Sequence, residues 1–84
     1  MNYSVLVLPA AQKDLDRLEM KIYKRCYEAM MGLTANPRSH GAEKLVGEDG
    51  FRIRVGDWRI VFRIDDSQKK IFIYRVKHRR EVYR

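Results

Sequence analysis

The sequence predicts an α+β fold, in which two N-terminal helices pack on one face of a mainly antiparallel four-stranded sheet. Three observations predict this class. Apolar residues recur at three- and four-residue steps from Ala11 to Leu33, as in amphipathic helices. Apolar and charged residues alternate on both sides of Gly56-Asp57, as in a β-hairpin. The mostly apolar segment 71–76 follows, as expected of a central strand.

The elements are predicted in the order β-α-α-β-β-β. Residues 3–8 form a first strand that is apolar enough to be buried on both faces. Pro9 suits the first turn of a helix, because its missing N–H costs nothing there. A break near residues 19–21 divides the helical stretch, and Asn36-Pro37 ends it. Segment 43–46 is a candidate for a further short strand before the hairpin.

Length and composition indicate one folded domain over residues 1–84. With 45% hydrophobic residues and regular patterning, the chain is a globular domain and not a disordered basic tail. The lone Cys26 excludes an internal disulfide and falls on the apolar helical stripe, where it is expected to be buried. One cysteine with two histidines is a poor zinc set, so no metal or cofactor is expected.

Charge and hydropathy limit the expected cellular location and the kinds of partner. The longest apolar run, residues 5–11, is too short to span a membrane and lacks the layout of a signal peptide, so a cytoplasmic protein is expected. The net charge of +7 belongs entirely to residues 51–84, where eleven Lys or Arg face four Asp or Glu. Residues 1–50 carry seven of each. This balance indicates nucleic acid, a ribosome or an acidic protein as partner, and disfavours a membrane because the arginines lie on strands.

The hairpin concentrates arginines on one face. Gly56 supplies the positive φ of a type II′ turn, and the two-residue loop places Arg54 opposite Arg59 and on the same face as Arg52. Like charges opposite each other destabilise a sheet, so an anionic ligand is expected, although a merely solvated face is the alternative. Arginine favours phosphate, which its planar fork binds bidentately. The phosphate-binding candidates on this face are Arg52, Arg54, Arg59 and Arg63.

A second basic group closes the chain as Lys77-His78-Arg79-Arg80, followed by Glu81-Val82-Tyr83-Arg84. The two apolar residues before the last arginine are expected to hold this terminus against the domain. Within this group, His78 is the residue type suited to proton transfer near neutral pH. By contrast, Trp58 is expected in the core, because it pairs with Val55 on the apolar face.

Two segments, FRIRVGDWRIVFRIDD at 51–66 and YRVKHRREVYR at 74–84, resemble the RelE group of the RelE/ParE toxin superfamily. The similarity extends over nearly the whole chain, and the hairpin with the terminal HRREVY is its specific part. The resemblance implies a RelE-like fold and a toxin that cleaves mRNA in the ribosomal A site, inhibits translation and is neutralised by an antitoxin.

The resemblance also implies site residues by position. The family's basic residues before and after the hairpin turn fall on Arg52, Arg54 and Arg59. Its C-terminal arginine and tyrosine fall on Arg79 and Tyr83. RelE has lysines where this chain has Arg52 and Arg54, and because arginine does not give up its proton, the identity of the general base stays open.

The implied reaction is metal-free attack of an RNA 2′-hydroxyl on the adjacent phosphate, which needs a base, cations for the developing phosphorane charge and an acid. Tyr83 can stack on a base or transfer a proton, but its ordinary pKa near 10 makes it a slow base. His78 is the residue type better suited than tyrosine to proton transfer near neutral pH. The catalytic candidates are Arg59, Arg79, Tyr83 and His78, and the phosphate-binding candidates are Arg52, Arg54, Arg63, Lys77 and Arg80.

The partners implied are an acidic, partly disordered RelB- or Phd-like antitoxin, the ribosome and mRNA, with operator DNA reached only through the antitoxin complex. Two alternatives stay open. The first is a ParE-like toxin that inhibits DNA gyrase, which the terminal Arg79 to Tyr83 set disfavours. The second is an inactive homologue that serves only as an antitoxin-binding co-repressor, which the departure at Arg52 and Arg54 keeps open. Tyr23 and Tyr27 are expected to be packing or antitoxin contacts.

Overall fold

A computed structural model describes residues 2–38, 41–45, 47 and 49–82. It confirms the α+β class, with two helices followed by sheet strands. The elements in chain order are β1 (Ser4–Val7), α1 (Pro9–Asp16), α2 (Met20–Gly32), β2 (Ala42–Lys44), β3 (Phe51–Val55), β4 (Trp58–Asp65), β5 (Lys70–His78) and α3 (Arg79–Val82). Among these residues, no helix is long and apolar enough to cross a lipid bilayer.

The sheet has five strands rather than the four expected, in the order β1-β5-β4-β3-β2. The additional strand is β2, whose residue Glu43 pairs with Arg52 of β3. It overlaps segment 43–46, the candidate short strand of the sequence analysis, and begins one residue earlier, at Ala42. All pairings are antiparallel except that of β1 with β5. The short α3 after β5 was expected only as a tail.

The two long helices form where the sequence placed them. Pro9 occupies the first turn of α1. The chain then breaks at Arg17 to Glu19, where Glu19 is extended (φ −67°, ψ 154°), and α2 starts at the next residue. The predicted apolar stripe is buried against the sheet through Ala11, Leu15, Cys26, Met30 and Leu33. Burial raises the pKa of the Cys26 thiol, so this cysteine is an inert core residue.

The sheet contributes the other half of the core through Val55, Ile60, Phe62, Ile71, Ile73 and Val76. Trp58 packs at the margin of this cluster and is partly buried, as its pairing with Val55 implies. Helices cover one face of the sheet, so the opposite face carries the alternate residues of β3 and β4. That face is called the outer face below.

The pairing of β4 with β5 contains a bulge. Val61 pairs with Arg75, whereas Phe62 pairs with Ile73, which leaves Tyr74 as the extra residue. The bulge allows Ile73 and Val76 both to enter the core although they are three positions apart, which would place them on opposite faces of a regular strand.

The bulge is also where α1 is fastened to the sheet. Asp14 accepts hydrogen bonds from Arg75 Nε (2.8 Å), from Arg75 Nη2 (3.0 Å) and from the Val76 N–H (2.8 Å). Burial alone would raise the pKa of Asp14, but the hydrogen bonds from Arg75 and Val76 outweigh it, and the net pKa is lowered. The carboxylate is therefore ionised and structural.

A second polar cluster joins the start of the chain to the β4–β5 turn. Asp66 accepts hydrogen bonds from Tyr3 Oη (2.7 Å) and, bidentately, from Arg38 (3.1 and 2.9 Å). The bonds from Arg38 and Tyr3 lower the pKa of Asp66 to about 2. Lys69 Nζ lies 4.8 Å from the centre of the Tyr3 ring.

Candidate nucleic-acid interface

The hairpin register follows the sequence pattern, with Val55 opposite Trp58 and Arg54 opposite Arg59. Gly56 has φ +60° and Asp57 is not among the residues with positive φ, as a type II′ turn requires. On the other side of β4, Arg59 pairs with Lys77 of β5. Three cations, Arg54, Arg59 and Lys77, therefore stand side by side on three neighbouring strands of the outer face. We call them the cation row.

The central member of the row is not open to solvent as the sequence suggested. Arg59 is only 3% exposed. Its Nη1 donates to the backbone carbonyls of Gly56 (3.2 Å) and Trp58 (3.0 Å), so the guanidinium is folded back under the hairpin turn. Strand alternation assigns a residue to a face, but it does not reveal a side chain that bends along that face. The carbonyl oxygens fix the position of the charge.

The flanking arginines of β3 differ from each other. Arg52 Nη2 lies 3.8 Å from Glu43 Oε2 of β2, which offsets part of its charge. Arg54 is exposed and makes no hydrogen bond or ion pair with any residue in the described ranges. Of the two, Arg54 is the better placed to receive an incoming anion.

Arg63 shares the outer face but lies away from the row. It is four residues along β4 from Arg59, a distance of roughly 14 Å. Its Nε donates to the Asp49 carbonyl (2.9 Å), and its guanidinium lies 4.9 Å from the centre of the Tyr74 ring. The structure thus separates Arg63 from the cation row.

His78 lies on the other face of the sheet. It pairs with Trp58, and the two rings meet edge to face with centroids 5.3 Å apart. Since Trp58 and Arg59 alternate along β4, His78 is on the face opposite the cation row. Its Nδ1 accepts a hydrogen bond from the Arg80 N–H (3.3 Å). The alternation of Val76, Lys77 and His78 in the sequence carried this information.

The short helix α3 is attached to the hairpin turn. The Arg79 N–H donates to the Asp57 carbonyl (2.7 Å), and Arg79 Nε lies 4.0 Å from Asp57 Oδ1. The Arg79 and Arg80 side chains are otherwise exposed. Tyr83, the fourth catalytic candidate, lies outside the described residues.

Sequence reasoning missed three neighbours of the site. Glu81 accepts a hydrogen bond from the His78 N–H (3.2 Å) and lies 3.9 Å from Lys77 Nζ. Asp57 holds Arg79, as described above. Arg25 of α2 packs on the hairpin turn, so that a Cβ added at Gly56 would lie 3.4 Å from Arg25 Nη1. Spacing in the sequence could have paired Lys77 with Glu81, but the Arg25 contact is purely tertiary and leaves no local signal.

This arrangement is suited to binding an anion and stabilising negative charge. The row presents one buried and preorganised guanidinium between two further cations. Within the described ranges, no three His, Cys, Asp or Glu residues come together as metal ligands. The chemistry that these side chains offer directly is electrostatic.

Comparison with known proteins defines the class. The family model of the ParE toxin of the type II toxin–antitoxin system parDE matches residues 5–83, so the chain belongs to the RelE/ParE superfamily of type II toxins. Toxin RelG of Mycobacterium tuberculosis is 34% identical over 88 residues, covering 100% of this chain and 99% of its own. Toxin RelE of the same organism is 34% identical over 84 residues, covering 98% of this chain and 87% of its own.

A solved structure agrees with these relatives. The toxin–antitoxin complex RelBE2 of M. tuberculosis contains a chain with a TM-score of 0.85 and 30% identity, covering 93% of this chain and 99% of that one. Within the superfamily, this protein is a toxin of the RelE group.

Proposed function

We propose that this toxin is a metal-independent, ribosome-dependent endoribonuclease that cleaves mRNA in the A site and so inhibits translation. The observation that carries the proposal is the cation row, in which Arg54, Arg59 and Lys77 stand opposite one another although like charges destabilise a sheet. A scissile phosphate, which gains negative charge as the 2′-hydroxyl attacks, offsets that repulsion.

Arg59 is assigned the stabilisation of the phosphorane. Its guanidinium is buried and held by two carbonyls, so it acts as a fixed positive charge beneath the phosphate. Removal of one such preorganised donor lowers the rate by roughly 10²- to 10³-fold in other enzymes. Arg54 and Lys77 bind the phosphate on either side, and Arg52 and Arg80 extend the basic surface along the RNA.

Proton transfer is assigned to Tyr83 in preference to His78. His78 faces away from the row and contacts Trp58, so it can take part only if the RNA wraps around the sheet edge. Tyr83 follows α3, whose first residue, Arg79, is fastened to the hairpin turn.

The partner proposed is a cognate antitoxin. The solved relative is a toxin–antitoxin complex. An acidic, partly disordered RelB- or Phd-like segment that folds over the cation row would neutralise the charges that bind RNA. Ribosome and mRNA are the targets of the free toxin, and operator DNA is reached only through the antitoxin complex.

The test is to map RNA 5′ ends after induction of the native protein, Arg54→Ala and Arg17→Ala. Arg17 is an exposed arginine at the end of α1 and serves as the matched control. We expect cleavage within codons for the native protein and the control, and cleavage reduced at least tenfold for Arg54→Ala. Equal cleavage by all three would refute the site. A DNA-damage response without cut transcripts would indicate gyrase inhibition, and growth without either effect would indicate an inactive co-repressor.

A further inference from the structure

A cavity of about 360 Å³ opens beside Arg63. It is lined by Leu45, Asp49, Val61, Phe62, Arg63 and Tyr74. Val61 and Arg63 alternate with Arg59 on the same strand, so the cavity and the cation row share the outer face. Val61 is two residues from Arg59, roughly 7 Å along the strand. A nucleotide next to a phosphate on the row can therefore reach it.

The side chains around the cavity suit a planar aromatic ligand. The β-bulge leaves Tyr74 as the extra residue of β5, and the Arg63 guanidinium lies 4.9 Å from the centre of its ring. Arg63 is held in place by the bond from its Nε to the Asp49 carbonyl. Unpaired bases stack on aromatic rings and on guanidinium planes, and both are present here.

The loop before β3 keeps the cavity walls close. Leu45 N–H donates to the Gly50 carbonyl (3.0 Å) and closes the loop. A Cβ added at Gly50 would lie 3.2 Å from the Phe62 carbonyl oxygen, which is closer than an ordinary van der Waals contact, so this wall favours a residue without a side chain. The cavity is thus built by close packing around the hairpin.

We propose that this cavity binds an unpaired base of the RNA, adjacent to the phosphate that lies on the cation row. The inference rests on the proposed function and adds a base-reading site to it. A base fits better than a second phosphate, because the lining is mainly apolar and includes the acidic residue Asp49. The cavity would also give the toxin a preference for certain bases at one position of the cleaved codon.

The test uses an mRNA on programmed ribosomes with a 2′-O-methyl group at the scissile nucleotide, which blocks cleavage. The fluorescent base 2-aminopurine, or an abasic site, is placed on either side of that nucleotide. Three proteins are compared with the native one: Tyr74→Leu, which removes the ring, Tyr74→Phe, which keeps it, and Tyr27→Leu, which removes an exposed tyrosine of α2.

We expect native protein and Tyr27→Leu to quench 2-aminopurine at one position, and Tyr74→Phe to retain that quenching. Tyr74→Leu should lose it and bind roughly tenfold or more weakly. An abasic site at that position should weaken native binding by a similar factor and leave Tyr74→Leu unchanged. Arg63→Ala, an exposed position that tests the same cavity without changing Tyr74, should reproduce the loss.

Quenching at no position, or equal binding by Tyr74→Leu and native protein, would overturn the proposal. Loss of antitoxin affinity in Tyr74→Leu with unchanged RNA binding would also overturn it and assign the cavity to the partner protein. Failure of the proposed function is separate, because it appears as absent cleavage by native protein on unmodified mRNA while base-dependent binding persists.

Discussion

The attachment of α1 to the sheet through Asp14 leads to a quantitative prediction. The carboxylate is 11% exposed, and the Arg75 side chain is 41% exposed. In Asp14→Ala the arginine can be solvated, so loss of the ion pair itself costs at most about 1 kcal/mol. The Val76 N–H, in a buried residue, loses its acceptor, which costs about 1–3 kcal/mol. The free energy of unfolding should therefore fall by about 1–4 kcal/mol.

Urea unfolding of the purified variant measures this loss, with Asp16→Ala as the matched control. Asp16 lies on the same helix, but its side chain accepts an exposed hydrogen bond from Gln12 (2.9 Å). We expect the control to change stability by less than about 0.5 kcal/mol. In a domain of this size, 1 kcal/mol corresponds to roughly 4–8 °C in Tm, so thermal unfolding should separate the two variants clearly.

The pH dependence gives an independent check. The pKa of Asp14 is lower in the folded protein than in the unfolded chain, so its contribution is present above the unfolded pKa of about 3.9 and is lost as the pH falls through the folded value. The difference between native protein and Asp14→Ala should shrink over that range. Indistinguishable stabilities of Asp14→Ala and Asp16→Ala at pH 7 would refute the reasoning.

Three further predictions follow from the hairpin and the second polar cluster. Gly56→Ala should lose about 1–2 kcal/mol in chemical unfolding, because alanine is strained at φ +60° and its Cβ meets Arg25; unchanged stability would contradict this. Asp66→Asn should be less stable than native protein at pH 6, and the difference should shrink as the pH falls from about 4 towards 2, because the pKa of Asp66 is about 2 when folded; a constant difference would argue against it. Arg54→Ala should reduce the salt slope of RNA binding by about one without lowering Tm, and an unchanged slope would exclude a phosphate contact.

Local patterning in the sequence was sufficient to predict the hairpin and the helices. Alternation in β3 and β4, together with glycine at the turn, determines both the pairing of Arg54 with Arg59 and the buried face. Pro9 and the apolar stripe determine where the helices lie. These features depend on neighbours in the sequence, which is why the sequence contains them.

The features that the sequence did not reveal depend on distant residues. Arg59 is buried because its guanidinium bends toward the turn carbonyls. The bulge that makes Tyr74 the extra residue is set by the meeting of two strands, each of which looks regular alone. The placement of His78 could have been read from alternation, but only once β5 was known to extend that far.

The parallel pairing of β1 with β5 limits when the protein can fold during its synthesis. Residues 4–7 find their partners at 70–73, so the first strand must wait for the last before it has any neighbour in the sheet. Lys77 lies at the far end of β5, so it comes to lie beside Arg59 only when β5 pairs with β4. A nascent chain whose last strand has not yet left the exit tunnel therefore lacks the assembled cation row.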